Sequence, residues 1–278
     1  MSEISPTYVS ARRALLDALD ALADHLDALI LVGAQAIYLH TGDTDEAVAP
    51  FTTDGDMAVD PDLLGDDPKL EDALGGAGFA LGEGGNPGQW FDRKGVEVDL
   101  LVPDSVALGG GTRRVELPPH SSRTARRARG LEGVLVDKSP FRLAALEPGD
   151  GRAFEIAVAG PAALLVSKLH KVHERVADDG RGVKAKDSHD IYRLLLYVEP
   201  TVVEAGFALL LATEVSREPA GVALGYLREL FGTGDSPGSR MAAETVVGVA
   251  GDPLGVADRA SVLALDLLDA VGGEATPD

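Results

Sequence analysis

The sequence contains no cysteine, which excludes disulfides and thiolate chemistry. It has no apolar run approaching the ~20 residues needed to cross a bilayer, so no membrane partner is expected. Residues 1–6 carry neither a basic segment nor an apolar one, so no secretory signal is read there, and a cytoplasmic location is expected. Positive charge is scarce: Lys and Arg total 25 against 45 Asp and Glu, a formal net charge of −20. Tight nonspecific binding to nucleic acid draws on Lys and Arg to neutralise phosphates, so that class is disfavoured, although a local basic surface is still allowed. What is present is 278 residues, 45% of them hydrophobic. That is enough for a sizeable core in one large or two ordinary domains.

The chain is organised around Asp54-Gly55-Asp56, in the segment Phe51 to Val59. Taken alone, Asp-Gly-Asp reads as a turn. Taken as a strand, it puts Asp54 and Asp56 on one face with origins roughly 7 Å apart, where two carboxylates can hold a divalent ion. Further along, residues 89–93 and 96–102 read as strands joined by a hairpin at Lys94-Gly95. Asp99 interrupts the apolar run of the second strand, and a buried charge is costly unless it is paired or bound to metal. Asp99 is therefore the third carboxylate, with Glu97, on the same face by alternation, as the substitute.

Upstream, residues 6–28 read as a helix with Leu15, Leu19, Leu22 and Leu26 on one face. The apolar run 29–32 reads as a buried strand that turns at Gly33-Ala34 into a helix ending near Gly42. Backbone N–H groups at such a helix start favour an anion, although many turns of this kind hold glycine for packing alone. Residues 41–50 and 178–182 read as loops, and the glycine-rich stretch 82–88 as a flexible loop, because no helix follows it.

Downstream, a helix over 162–175 places Lys168, Lys171 and Arg175 on one face. A second helix from Lys186 places Asp187 and Asp190 one turn apart. Two helices joined by a short loop pack together, so these acids can face the lysines. His170, His173 and His189 match no common zinc spacing and have no Cys partners. Arg113, Arg114, Arg123, Arg126, Arg127 and Arg129 form the most basic stretch. A solvated arginine-rich helix and loop is the first reading of it, and a landing surface for RNA or another polyanion, through Arg123, Arg126, Arg127 and Arg129, is the second. Helices are expected near 202–212, 220–231, 241–249 and 259–271, with no chemistry assigned to them.

In this order the motifs resemble nucleotidyltransferase-fold proteins, and within them the AbiEii-like toxins and the mycobacterial MenT group. The resemblance spans residues 29–196 and rests on Val32-Gly33-Ala34, Asp54-Gly55-Asp56, Asp99, the Lys168 to Arg175 helix, and Lys186-Asp187 through Asp190. It implies an α+β fold: a nucleotidyltransferase-type mixed β-sheet domain with flanking helices over 1–155, followed by a helical domain over 156–278. It also implies a transferase that moves NMP from an NTP to a hydroxyl acceptor, most directly the 3′ end of tRNA, as the toxin of a pair with a cognate antitoxin protein. The implied cofactor is Mg²⁺ or Mn²⁺, held by Asp54, Asp56 and Asp99. Gly33 and Ala34 would meet the triphosphate, and Lys168, with Lys171 or Arg175, would neutralise it. Asp187 or Asp190 would orient that lysine or contact the nucleotide. Ala34 departs from the Ser or Gly common in the family, and Gln35, Thr52 or Thr53 would have to replace the lost hydroxyl. Two alternatives remain: transfer to a small cationic acceptor of the aminoglycoside type, and a nucleotide-binding or interaction protein that has lost catalysis.

Overall fold

The computed structural model describes residues 4–42, 52–82, 86–109, 113–177, 185–247 and 252–273. Of the loop expected at 41–50, Thr41 instead ends a helix and residues 43–50 lie outside the described residues, as do the loop expected at 178–182 and part of the one at 82–88. The chain opens with helix α1 (Pro6–Ala21), whose Leu15, Leu16 and Leu19 are fully buried. The apolar run becomes strand β1 (Leu29–Val32), buried along its whole length, and leads directly into α2 (Gly33–Thr41). Strand β2 (Asp54–Val59), α3 (Leu70–Ala77), β3 (Ala80–Leu81), β4 (Gln89–Phe91) and β5 (Glu97–Pro103) follow. The expected hairpin is present: β4 and β5 pair antiparallel, and Gly95 takes a φ of +78° in the turn.

Where an arginine-rich helix was expected, the chain instead forms a short strand, β6 (Arg126–Ala128), parallel to β5. It fits because Gly88, at a φ of +77°, lies where β4, β5 and β6 meet. A Cβ there would fall 2.5 Å from the Leu100 carbonyl oxygen and 2.7 Å from the Arg126 nitrogen. Two further strands, β7 (Lys138–Ala144) and β8 (Ala153–Ala159), form an antiparallel pair that the sequence reading did not include.

The sheet is mixed and eight-stranded, in the order β3-β4-β5-β2-β1-β8-β7, with β6 on β5. β1 runs antiparallel to β2 and parallel to β8, and β2 runs parallel to β5. Among the described residues, six helices then form the C-terminal region: α4 (Pro161–Ala177), α5 (Ala185–Tyr197), α6 (Pro200–Ala212), α7 (Glu214–Phe231), α8 (Pro237–Glu244) and α9 (Pro253–Gly273). The protein is thus an α+β fold with a mixed sheet, flanking helices and a helical C-terminal region. Among the described residues no single helix is long and apolar enough to cross a membrane. α5 and α6 together would pass on length and composition, but they meet at 112°, and α5 buries Asp187, Asp190 and Arg193 within the protein.

Two long-range contacts fix the helices that bear the site. Asp137 accepts a hydrogen bond from the Ala163 backbone N–H at 3.0 Å, so it caps the first turn of α4 from a distant part of the chain. Gly160 and Gly206 leave room for its carboxylate; a Cβ on Gly160 would fall 1.9 Å from Asp137 Oδ1. Arg193 of α5, almost fully buried, donates to Thr41 Oγ1 at 2.7 Å and to the Gly42 carbonyl at 2.6 Å, tying α5 to the end of α2. Asp137→Ala is expected to lower stability by about 1–2 kcal/mol, the usual cost of losing a helix cap, read as a lower urea midpoint at unchanged slope.

Candidate active site

The site is built on β2 and β5. Their register sets Asp54 beside Glu97 and Asp56 beside Asp99. Side chains alternate along a strand, and paired residues share a face, so all four acids stand on one side of the sheet. Gly55 points to the other side, where a Cβ would come 3.1 Å from Leu15 Cβ. Between the two aspartates, then, the strand passes close beneath α1. That fixes which face of β2 is apolar and which is acidic.

Each acid is held differently. Asp54 Oδ1 accepts from Thr52 Oγ1 at 2.6 Å. Its backbone carbonyl accepts from Gln35 Nε2 at 3.0 Å, and Gln35 Oε1 in turn accepts from the buried Arg12 at 2.7 Å. Gln35 is therefore spent on the scaffold, Thr52 is buried on Asp54, and Thr53 is exposed. Asp56 lies against the start of α2. Gly33 has a φ of +69°, and a Cβ there would fall 2.0 Å from Asp56 Oδ2, so only glycine lets this carboxylate sit at the positive end of the helix. Glu97 accepts from Gln89 Nε2 at 2.6 Å. Asp99 is 5% exposed and pairs through Oδ2 with Arg126, while its Oδ1 is buried without a hydrogen-bond partner among the described residues.

The electrostatics follow from crowding. Burial, then the charges of Asp54 and Asp99, push the Asp56 carboxyl up to about 7, with Lys171 and Lys168 pulling back. Burial likewise pushes Asp99 up to about 6; Arg126 opposes it, and Glu97 and Asp54 add to it. This face is governed by burial first, with the neighbouring acids adding to it. Its donors are carboxylate oxygens, the type that Mg²⁺ and Mn²⁺ accept. As they stand, no three acidic or histidine side chains among the described residues converge tightly enough to form a finished metal cage. The donor set and the bare Asp99 oxygen are of the type a hard cation accepts.

Opposite the acids stands a cationic network from α4 and α5. Lys168, 5% exposed, reaches Asp187 Oδ1 and Asp190 Oδ2, each at 2.7 Å. Lys171 lies 3.1 Å from Asp187 Oδ1 and Arg175 2.7 Å from Asp187 Oδ2. Asp187 and Asp190 therefore do not compete for one role, because both hold Lys168. Burial alone would discharge Lys168, but Asp190 and Asp187 hold its ammonium above the ordinary lysine value. Burial alone would raise Asp187, but Lys168, Lys171 and Arg175 hold it well below the usual carboxylate range.

Lys186 is a member of this site that the sequence pattern alone does not mark. It is half-buried at the start of α5, and among the described residues it makes no ion pair. Burial lowers its pKa, opposed by Asp190 and, across the gap, by Asp54. Its only signal in the sequence was its place next to Asp187. Of the arginines, Arg126 is tied to Asp99. Arg127 bonds Asp104 at 2.8 Å and the Ala107 and Gly109 carbonyls at 3.0 and 2.7 Å. Arg123 and Arg129 are exposed, with Arg129 3.4 Å from Asp104. The three histidines are separately engaged: His170 with the Pro219 carbonyl, His173 with Glu229 and His189 with Thr245.

Two outcomes follow from this geometry. Gly33→Ala is expected to cost about 1–3 kcal/mol through backbone strain, with the collision at Asp56 adding to it, read by urea unfolding. Asp187→Asn is expected to cost on the order of 3 kcal/mol at neutral pH, because a buried cation network loses its central anion. Asp187 has a depressed folded pKa, so its contribution is fully present above the unfolded value of about 3.9 and is lost as pH falls below it. The gap between the urea midpoints of wild type and Asp187→Asn should therefore be constant from about pH 5 to 8 and shrink below about pH 4.

No protein-family model matches the sequence, and no curated protein matches it. Among solved structures, a crystal structure described as a "putative nucleotidyltransferase from H. pylori" matches over 99% of this chain and 100% of that one, at 11% identity and a TM-score of 0.31.

Proposed function

We propose that the chain is a metal-dependent nucleotidyltransferase that moves NMP from an NTP to a hydroxyl acceptor. The observation that supports this best is the shared face of Asp54, Asp56 and Asp99 on adjacent parallel strands, set against lysines from α4 and α5. The acids and the cations complement the two halves of such a reaction. Asp54, Asp56 and Asp99 would hold Mg²⁺ or Mn²⁺, which supplies charge neutralisation at the α-phosphate when bound. The start of α2 and the half-exposed Lys171 and Arg175 face the triphosphate. Lys168, saturated by Asp187 and Asp190, sets the positions of its neighbours and lends its charge. Lys186, with no ion pair among the described residues, is assigned to the phosphates as well.

In the reaction, the acceptor oxygen bonds to the α-phosphorus as the bridging bond to the β-phosphate breaks, and pyrophosphate leaves. Asp99 would complete the shell of the bound cation, which lowers the pKa of the acceptor hydroxyl, and so would help its proton leave. Most of the acceleration comes from holding the partners in line and from preset charge.

The acceptor we propose is the 3′ end of tRNA, in a toxin paired with a cognate antitoxin. Exposed Arg113, Arg114 and Arg123 lie beside β6, at the sheet edge nearest Asp99, and offer phosphate contacts. A second reading is a small cationic acceptor of the aminoglycoside type. It is favoured by the net charge of −20 and by the internal use of Arg126 and Arg127, which thins the basic surface.

Incubation with labelled NTPs, Mg²⁺ and either total tRNA or an aminoglycoside separates the two acceptors by where the label appears. Asp56→Asn is expected to abolish transfer while keeping the wild-type circular dichroism; wild-type turnover in that variant would refute the assignment. Lys186→Ala is expected to raise the KM for NTP about ten-fold with a smaller change in kcat, the mark of lost ground-state binding.

A further inference from the structure

Arg126 is placed with unusual care for a surface arginine. β6 runs parallel to β5 with Arg126 opposite Leu101. Leu101 is two residues beyond Asp99, so Arg126 stands diagonally across from Asp99 on the acid face. The Gly88 turn makes this approach possible, since any side chain there would strike the Arg126 backbone.

The contact itself is incomplete. An arginine and a carboxylate commonly pair through two parallel hydrogen bonds. Here one terminal nitrogen of Arg126 donates to Asp99 Oδ2, while Asp99 Oδ1 and Arg126 Nε are both buried without partners among the described residues. A buried charged oxygen left bare is costly. The Arg126 side chain is 32% exposed, whereas that of Asp99 is 7% exposed. The bare oxygen is thus buried, on the same strand face as Asp54 and Asp56, and the arginine is the more exposed member of the pair.

Resting on the acid-face reading given under Proposed function, we propose that Arg126 is a positioning residue for the cation site. It grips Asp99 by Oδ2 and so turns Oδ1 toward Asp54 and Asp56, where a divalent cation would take it as a ligand. Partners that hold a ligating carboxylate in place contribute to metal affinity almost as the ligands do, typically by ~10–100-fold. The opposite possibility, an arginine that occupies the cation's place and must be expelled, predicts the opposite sign.

The test is Mn²⁺ binding to the full chain without nucleotide, followed by the electron paramagnetic resonance signal of free Mn²⁺. Arg126→Ala is expected to weaken Mn²⁺ binding about ten-fold and Arg126→Lys to restore most of it. In an Asp99→Asn background, Arg126→Ala should add nothing further, because a positioning residue acts only through the group it positions. A merely structural arginine would lower the urea midpoint without this non-additivity. If Arg126→Ala fails to fold, Arg126→Gln, which keeps a donor and removes the charge, takes its place with the same expectation. Unchanged or tighter binding in these variants, with Asp54→Asn and Asp56→Asn still weakening it, would overturn the role of Arg126 and leave the acid face standing. No Mn²⁺ binding by the wild type would overturn both.

Discussion

Like charges crowded onto one face of two adjacent parallel strands set the terms for the rest of this structure. Burial penalises the ionisation of Asp56 and Asp99, and the charge of neighbouring Asp54 adds to the cost. The surroundings answer that strain at several points. Gly33 admits one carboxylate to the positive end of α2, Thr52 and Gln35 fasten the strand beneath Asp54, and Arg126 closes off Asp99. From the helical side, Lys168 and Lys171 act on Asp56 through space. Asp187 and Asp190 keep that cationic group fixed, so it neither collapses onto the acids nor swings into solvent.

The division between sheet and helices is therefore also a division of charge. The sheet supplies anions and the α4–α5 pair supplies cations, with the start of α2 between them. Among the described residues, α6 and α7 pack against α4, and α8 and α9 pack against α5. The Asp137 cap holds the start of α4, and the Arg193 tie joins α5 to α2.

Much of this was legible in the sequence where the signal was local. The apolar run ending at Gly33, the alternation through Asp54 and Asp56, and the hairpin at Gly95 each depend on a few neighbouring residues, and each formed as read. The β7–β8 pair was not legible. Pro140 within Lys138–Ala144 argues against a strand, and it is tolerated because β7 is an edge of the sheet, where a missing N–H breaks no interior ladder. Partnerships between distant residues were also hidden. Nothing near Arg126 in sequence indicates Asp99, nothing near Gln35 indicates Arg12, and helical spacing alone could not say that Lys168 would hold Asp187 and Asp190 together. Periodicity tells which way a side chain faces but not what will be waiting there.

Gly55, which brings β2 under Leu15, has a consequence for assembly of the sheet. If β2 slid along its neighbours by a single residue, every side chain on it would change sides. Two ionised groups would then be driven into the leucines of α1, while the small gap meant for Leu15 would open onto the polar face. Misalignment here cannot be absorbed as a minor defect. A molecule whose β2 has paired in register has therefore, by the same event, brought its acidic groups to one face.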